Sequence, residues 1–309
     1  METNKTILAI IAVTIIIAGC TDTSNEETSS TRGLDITNFT ATPSSTFSEQ
    51  SASILLSVTN NGGMNVENSA VRLYNAPIGD GSGSFTLTSG SEEEIIGQVR
   101  AADESSNIPA QTRQQRWSLE APSVQSQPVD YNFQARVYYG YQTQATTQIQ
   151  LVHEDEFLQE QSSVSRPSTS NTAGPIQLEV STRSPVRYFE DSEDPESDLC
   201  VTVRNEGNGT PFDPSAMDDS EEIDPSGERD EITLTVQNTA GVSFTGEDAE
   251  MGEEKEVDVP LTGSRGSHCF PMTLPNRESF SIRQDVPLSI TADYGYYISD
   301  SLVVEVQPR

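Results

Sequence analysis

The sequence predicts an all-β protein with two tandem β-sandwiches. Three features support this: strands in which apolar and polar residues alternate, turns rich in Gly, Asn and Pro, and a series of blocks that occurs twice in the same order. A sheet with one apolar face must bury it, so short antiparallel strands of this kind normally close into two packed layers. We therefore expect one sandwich over residues 33–152 and a second over residues 175–309.

The duplication is visible in equivalent blocks about 145 to 155 residues apart, a spacing typical of repeated domains. In each repeat an alternating strand ends in a turn: Ile54, Leu56 and Val58 before residues 60–63, and Leu199, Val201 and Val203 before residues 205–209. Later blocks match Trp117 and Leu119 to Phe270 and Met272. Each repeat then ends in a Tyr-Gly-Tyr segment, which predicts a hairpin, and a closing strand: Tyr139-Gly140-Tyr141 before 147–152, and Tyr294-Gly295-Tyr296 before 302–306.

The strand that ends in Asn-x-Gly and the Tyr-rich end of each repeat resemble immunoglobulin-like domains of the cell-adhesion-related type, which are common in prokaryotic surface proteins. The resemblance implies two immunoglobulin-like sandwiches and a role in binding. Residues 153–174, between the repeats, are rich in acids, Gln, Ser and Thr and are predicted to be a linker.

The chain is strongly acidic, with 48 Asp and Glu residues against 17 Lys and Arg residues and a formal net charge of −31. Without a basic surface for phosphate contact, ordinary nucleic-acid binding is excluded. The second repeat is the more acidic, at net −20 against −6 for the first. Molar salt screens such repulsion, and the composition resembles that of proteins from halophilic archaea. An acidic secreted protein of a mesophile is the alternative.

The N-terminal residues 1–19 are predicted to be a signal peptide. A short polar start with one lysine precedes an apolar run at residues 7–19, which is too short for an ordinary spanning helix. The run ends in Ile-Ala-Gly-Cys, which resembles a lipobox. That resemblance implies cleavage before Cys20, an acyl or prenyl-type lipid on its thiol, and anchoring in the cell membrane on the extracellular face. A plain secretory signal or a signal anchor is the alternative. Residues 20–32 are polar and predict a flexible tether.

If Cys20 carries a lipid, Cys200 and Cys269 remain. Each adjoins inward-facing apolar residues, so both thiols are expected on the outer face of neighbouring strands, where a disulfide persists outside the cell. The first repeat has Leu55 and Arg116 at these places and should lack a bridge. A redox or metal-binding pair is the alternative, although the sequence contains no CxxC motif.

Acidic residues in the second repeat form a candidate cation site. Calcium prefers oxygen ligands on loops, and the two densest runs of carboxylates lie at residues 190–198 and 213–231. The alternative is a solvated acidic loop; no other cofactor is expected. The candidate ligands are Asp218, Asp219, Glu221, Glu222 and Asp224.

Two further sets of residues are candidates for modification or recognition. Asn38 and Asn208 each begin an Asn-x-Thr sequence, which fits the acceptor pattern for N-glycosylation. Tyrosines near loops often supply recognition surface, with cross-strand packing as the alternative. The tyrosines in question are Tyr139, Tyr141, Tyr294 and Tyr296.

The chain has no P-loop, dinucleotide fingerprint or nucleophile elbow, and it offers no catalytic constellation. We expect a non-enzymatic, lipid-anchored cell-surface protein that acts as a binding, adhesion or envelope-structural module. Its partner would be an envelope protein or a glycan, in addition to the lipid bilayer. The alternatives are a subunit of an extracellular filament or virion, which would use sheet edges for strand addition, and a cation-dependent enzyme or enzyme accessory.

Overall fold

The structure is a computed structural model. It describes residues 31–75, 78–79, 81, 83–103, 105–160, 164–188, 196–217, 229–239, 241–245, 250–274 and 282–309. Over these ranges the chain is almost entirely β-strand, which confirms the all-β prediction. None of the helices within them is both long enough and apolar enough to cross a bilayer.

The first repeat contributes eight strands, of which the last is very long. They are β1 (Leu34–Thr42), β2 (Ser45–Phe47), β3 (Ser51–Asn60), β4 (Ser69–Tyr74), β5 (Thr86–Ser89), β6 (Glu93–Ile95), β7 (Thr112–Glu120) and β8 (Val129–His153).

The remaining elements include a second long strand at the end of the chain. They are α1 (Glu154–Glu160), β9 (Thr169–Asn171), β10 (Ile176–Val180), β11 (Val186–Tyr188), β12 (Glu196–Asn205), β13 (Thr210–Phe212), a 3-10 helix (Pro214–Met217), β14 (Glu231–Gln237), β15 (Glu254–Pro260), β16 (Arg265–Thr273) and β17 (Arg283–Gln307).

Each repeat has its own outer sheet, and the alternating residues predicted from the sequence fill its inner face. In the first repeat the order is β1-β3-β7-β5, and in the second it is β10-β12-β16. Ile54, Leu56, Trp117 and Leu119 are fully buried in the first. Their equivalents in the second are buried to the same extent: Leu199, Val201, Phe270 and Met272.

The opposing layer is a single ten-stranded sheet that both repeats share, in the order β15-β14-β17-β8-β4-β6 with four short strands added at its sides. Strands β8 and β17 pair antiparallel along almost their entire length, from Val129 opposite Val306 to Val152 opposite Arg283. The first half of β8 and the second half of β17 therefore lie in the first sandwich, and the other two halves lie in the second sandwich.

The centre of this ladder is a pseudo-two-fold axis. Gly140 pairs with Gly295, and these are the equivalent glycines of the two Tyr-Gly-Tyr segments. A residue that faces its own equivalent must lie on the axis that relates the repeats. Each repeat thus sends the second half of its last strand into the other sandwich.

Two expectations from the sequence are therefore wrong. The Tyr-Gly-Tyr segments do not turn, because each lies in the middle of a 25-residue strand. The predicted closing strands, 147–152 and 302–306, are continuations of those strands into the neighbouring sandwich. The segment 153–174 also contains regular structure: α1 follows β8 directly, and β9 pairs with β8 at residues 145–147.

The predicted disulfide between Cys200 and Cys269 is confirmed. The two residues face each other on β12 and β16, with their Cα atoms 3.9 Å apart. Cys269 is exposed and Cys200 half-buried, so the bridge lies on the outer face of the sheet. In the first repeat the same register position pairs Leu55 with Arg116.

Replacing both Cys200 and Cys269 by Ser should lower the free energy of unfolding by about 4 kcal/mol, because the bridge closes a loop of 69 residues in the unfolded chain. Denaturant unfolding in fixed molar salt measures the change. Introducing Leu55→Cys together with Arg116→Cys should add a bridge at the equivalent pair and raise the unfolding free energy. An unchanged value in the double-serine variant would contradict the stabilising role.

Candidate functional site

The predicted site residues fall into three groups. The first group lies outside the described residues. It consists of Cys20 and the candidate calcium ligands Asp218, Asp219, Glu221, Glu222 and Asp224. Asn38, Asn208 and the four tyrosines have defined positions. Within the described ranges, no three His, Cys, Asp or Glu side chains are grouped so that they could hold a metal ion.

The four tyrosines lie together on the inner face of the central ladder, on either side of the Gly140–Gly295 pair. We call them the tyrosine cluster (Tyr139, Tyr141, Tyr294, Tyr296). Tyr139 faces Tyr296 across the ladder and Tyr141 faces Tyr294. Successive rings around the cluster have their centroids 5.7 to 6.1 Å apart. All four side chains are buried. The hypothesis that they form a recognition surface is therefore wrong, because the outer sheets of both sandwiches cover them.

Each tyrosine of the cluster packs against a glycine of an outer layer, where a larger residue would collide with the ring or its hydroxyl. Tyr139 meets Gly33, Tyr141 meets Gly62, and their symmetry equivalents repeat the arrangement. Gly174, in the segment between the repeats, packs against both Tyr141 and Tyr294, and Gly207 of the second repeat packs against Tyr296. The glycines of the two Asn-x-Gly turns, Gly62 and Gly207, therefore also leave space for the tyrosine side chains.

Hydrogen bonds fix the hydroxyl groups of three members. Tyr141 donates to the carbonyl oxygen of Ala173 at 2.7 Å and accepts from the amide of Met64 at 3.2 Å. Tyr294 shares a hydrogen bond with Thr143 at 2.8 Å. Tyr296 donates to the side chain of Asn205 at 2.8 Å. Since Ala173 lies in the segment between the repeats, the Tyr141 contact ties that segment to the last strand of the first repeat.

Burial shifts the pKa of every phenol in the cluster in the same direction. Desolvation raises the pKa of Tyr141, raises the pKa values of Tyr139 and Tyr294 well above their usual range, and raises the pKa of Tyr296 to about 12. The charged phenolate is disfavoured because it would lose its hydration in the core. The cluster is thus a neutral packing element and carries no base for catalysis near pH 7.

A second, smaller aromatic group lies on the opposite face of the central ladder. Tyr138 and Tyr297 pair across it, with Phe212 packed beside them and Met217 of the 3-10 helix buried against the group. The Arg136 guanidinium lies 4.5 Å from the ring centroids of both Tyr74 and Tyr297. This geometry places a cation over two aromatic faces at the junction of the repeats.

Residues 213–230 are an insertion that only the second repeat contains. Strand β14 occupies the place beside β17 that β4 occupies beside β8, since Thr233 pairs with Asp293 as Ala70 pairs with Tyr138. The amide of Asp230 donates to the carbonyl oxygen of Pro211 at 2.9 Å, which closes the base of the loop. The predicted calcium ligands belong to this insertion, between Met217 and Arg229, and lie outside the described residues.

Both candidate glycosylation sites are at least partly accessible. Asn208 is exposed in the turn between β12 and β13, whereas Asn38 is half-buried on β1 and donates to the hydroxyl of Thr40 at 3.3 Å. Glycosylation of either residue stays a prediction.

On the outer face of the second half of the ladder, the side chains between Asp285 and Asp293 carry no charge, and we call this part the uncharged face. Cross-strand hydrogen bonds order its amides: Gln144 donates to Ser289 at 3.0 Å, and at its two ends Gln142 and Gln150 donate to Asp293 and Asp285 at 2.7 and 2.9 Å. The face consists of Gln144, Thr146, Gln148, Pro287, Ser289 and Thr291.

The uncharged face contains a groove of about 460 Å³ at its contact with β9. It is lined by hydroxyl groups, one amide and one proline ring: Thr146, Thr147, Gln148, Ser168, Thr169, Ser170 and Pro287. Sequence reasoning did not identify this surface, although the alternation of Gln in residues 142–150 was a visible signal. The side chains that complete this surface come from β17 and β9, which are distant in the sequence from residues 142–150.

Comparison with known proteins adds little to this description. No family model matches the chain, and neither does any curated protein. Among solved structures, it is similar to the C-terminal globular domain of an oligosaccharyltransferase from Pyrococcus abyssi, with a TM-score of 0.21 and 10% identity over 85% of this chain and 45% of that one. The chain thus spans less than half the length of that structure.

Two adhesins show weaker similarity over most of both chains. Collagen adhesin from S. aureus has a TM-score of 0.12 and 11% identity, with 91% of this chain and 94% of that one covered. The CupB6 tip adhesin from Pseudomonas aeruginosa has a TM-score of 0.16 and 8% identity, with 89% and 94% covered. Scores this low carry no argument about function.

Gly295→Ala should destabilise the protein by about 1 to 3 kcal/mol, because a methyl group there would overlap the ring of Phe212 in a packed region. Gly140→Ala is the matched control, since a methyl group at that position meets no atom within 4 Å. Its stability should be unchanged or slightly higher, because alanine loses less backbone entropy on folding. Denaturant unfolding of both variants measures the difference.

A double-mutant cycle identifies the cause of the Gly295 effect. In a Phe212→Ala background, Gly295→Ala should cost clearly less than in the wild type, because the overlapping ring is gone. Equal costs in the two backgrounds, or equal costs for the Gly140 and Gly295 variants, would refute the packing explanation.

Alkaline pH should unfold the protein through the tyrosine cluster. The folded-state pKa of Tyr296 is raised to about 12, so the folded protein holds this proton more tightly than the unfolded chain, whose phenol titrates near 10. The resulting stability is fully present below about pH 10 and is lost as the pH rises to about 12, by roughly 2 to 3 kcal/mol for Tyr296.

Unfolding free energies at pH 8 to 12 in constant molar salt measure this loss. Tyr296→Phe should be less stable at pH 8, since it loses the hydrogen bond to Asn205, but its stability should fall less steeply above pH 10. A wild-type protein that keeps its full stability at pH 12 would contradict the assignment.

Proposed function

We propose that this chain is a lipid-anchored protein of the outer cell surface and acts as a non-catalytic binding module of the envelope. The observation that carries the proposal is the uncharged face, an ordered neutral surface on a chain with a formal net charge of −31. The shared sheet supports it, because it holds this face on a body made of both repeats.

The chemistry of the uncharged face favours a neutral, hydroxyl-rich partner. The face itself has no cationic group to pair with an anion and no carboxylate to pair with a cation, and molar salt screens the charges around it. Amides and hydroxyls both donate and accept hydrogen bonds, so they match the hydroxyl groups of a sugar. The partner is therefore a neutral glycan, either free in the envelope or attached to an envelope protein.

The predicted anchor fits this role. A lipid on Cys20 would hold the protein at the membrane, and residues 20–32 would separate the sandwiches from the bilayer. The cross-strand disulfide and the acidic surface suit an oxidising and saline exterior. Together these features support a surface location in a salty medium.

A photo-crosslinking residue at position 148 of the full chain tests the proposal in intact cells at molar salt. Gln148 lines the groove, whereas Gln114 is exposed on β7 of the first repeat and serves as the control position. We expect a discrete crosslinked product from position 148 and none from 114. Periodate, which cleaves the vicinal diols of sugars, should abolish that product.

The same cells test the anchor. Cys20→Ser should release the protein from the detergent phase into the aqueous phase, and the crosslinked product at position 148 should weaken as the protein leaves the surface. Equal crosslinking from positions 148 and 114, or a product that resists periodate, would refute the glycan-binding role. An unchanged detergent partition of Cys20→Ser would refute the anchor.

A further inference from the structure

The outer face of the first half of the ladder carries two arginines side by side, on a chain with a formal net charge of −31. Arg72 of β4 and Arg136 of β8 are direct partners across the antiparallel pair, a position in which like charges destabilise a sheet. Glu93 lies opposite Arg72 on β6. Within the described residues, however, neither guanidinium forms an ion pair with a carboxylate.

Aromatic rings hold the guanidinium of Arg136 in place. Its central carbon lies 4.5 Å from the ring centroids of Tyr74 and Tyr297, which come from the strands on either side of β8. Its one side-chain hydrogen bond within the described residues runs from Nη1 to the hydroxyl of Tyr138 at 3.3 Å, and its Nε is buried without an acceptor. The rings occupy the faces of the cation, so most of the donors in the plane of the fork are unused.

The fold of the sheet does not require these two arginines. Strand β14 pairs with β17 in the same register in which β4 pairs with β8. The pair that corresponds to Arg72 and Arg136 in the second repeat is therefore Thr235 and Thr291, which are direct partners there. Since threonines fill the same places in an equivalent sheet, the two positive charges serve a purpose other than folding.

Neutral side chains that form hydrogen bonds lie beside the guanidinium. Ser299 is opposite Arg136 on β17, and Ser301 is opposite Gln134 two residues further along. Both serines are exposed, and the side chain of Asn75 donates to that of Gln134 at 3.4 Å. Hydroxyls and amides match the hydroxyl groups of a sugar, whereas the planar fork of an arginine matches a carboxylate. A sugar that bears a carboxylate meets both requirements.

We propose that Arg136 and Arg72 bind the carboxylate of an acidic sugar of the uronic-acid type. The terminal nitrogens of Arg136 donate to the two carboxylate oxygens, Arg72 adds a second positive charge, and the neighbouring serines bind hydroxyl groups of the sugar ring. The aromatic rings fix the guanidinium before the ligand arrives, so little side-chain entropy is lost on binding. A partly buried ion pair is also screened less by molar salt than an exposed one. The site is separate from the uncharged face on the second half of the ladder, so either can fail without the other.

Calorimetric titration of the full chain, in detergent and molar salt, tests the proposal with a short oligomer of galacturonic acid as the probe. The ligand control is the same oligomer after reduction of its carboxyl groups to alcohols. We expect binding of the acidic oligomer and none of the reduced one. Arg136→Gln should weaken binding by at least about tenfold, the loss expected for a charge-assisted hydrogen bond. Arg136→Lys should also weaken it, because lysine keeps the charge but lacks the planar fork.

Arg116→Gln is the matched protein control, because Arg116 is exposed on β7 in the opposite layer and its loss changes the net charge equally. It should leave the affinity unchanged. Arg72→Gln, at an exposed position, should weaken binding several-fold and decides the question if Arg136→Gln does not fold. The proposal is overturned by no binding of the acidic oligomer, by equal binding of both oligomers, or by equal losses in the Arg72 and Arg116 variants. Tighter binding of a peptide of aspartates would also overturn it, since the site would then belong to an acidic peptide.

Discussion

The pairing of β8 with β17 is the constraint on which the rest of the structure depends. Each strand crosses from its own sandwich into the other, so neither sandwich has a complete second layer without a strand from the other repeat. A rotation of one repeat relative to the other would break ladder hydrogen bonds along a 25-residue strand. The described residues of the two repeats therefore share one continuous hydrophobic core.

The crossing point has its own packing requirements, and they differ on the two faces of the sheet. On the inner face the strands approach the two outer sheets at the same place, and the long tyrosine rings fill the space between them. Their hydroxyls reach backbone groups such as Ala173, and glycines in the turns leave room for the rings. On the outer face Gly295 leaves room for Phe212. The alternation of Tyr and Gly along the strand satisfies both faces at once.

The sequence predicted those features that depend on local periodicity. The phase of Leu199 and Val201 placed Cys200 on the outer face, and the same argument placed Cys269 there; the bridge followed from this alternation together with the expectation that the two strands are neighbours. The Tyr-Gly-Tyr segments were misread because glycine is a local turn signal. Whether the chain turns or continues at Gly295 depends on its pairing with β8, which is far away in the sequence. The uncharged face was missed for the same reason. Which side chains lie beside Gln148 is set by β17, which places Pro287 opposite it, and by β9.

The differences between the repeats identify where the protein has become specialised. An exact duplicate would present the same surfaces twice and would bind symmetrically about Gly140 and Gly295. The second repeat instead gained the disulfide, the insertion at residues 213–230 and most of the negative charge, while the uncharged face lies on its half of the ladder. The bridge fastens two strands of the outer sheet in the repeat with the larger self-repulsion. The uncharged face beside that charge differs from it in kind, because its amides and hydroxyls interact through short-range hydrogen bonds, which do not depend on the long-range field that molar salt screens.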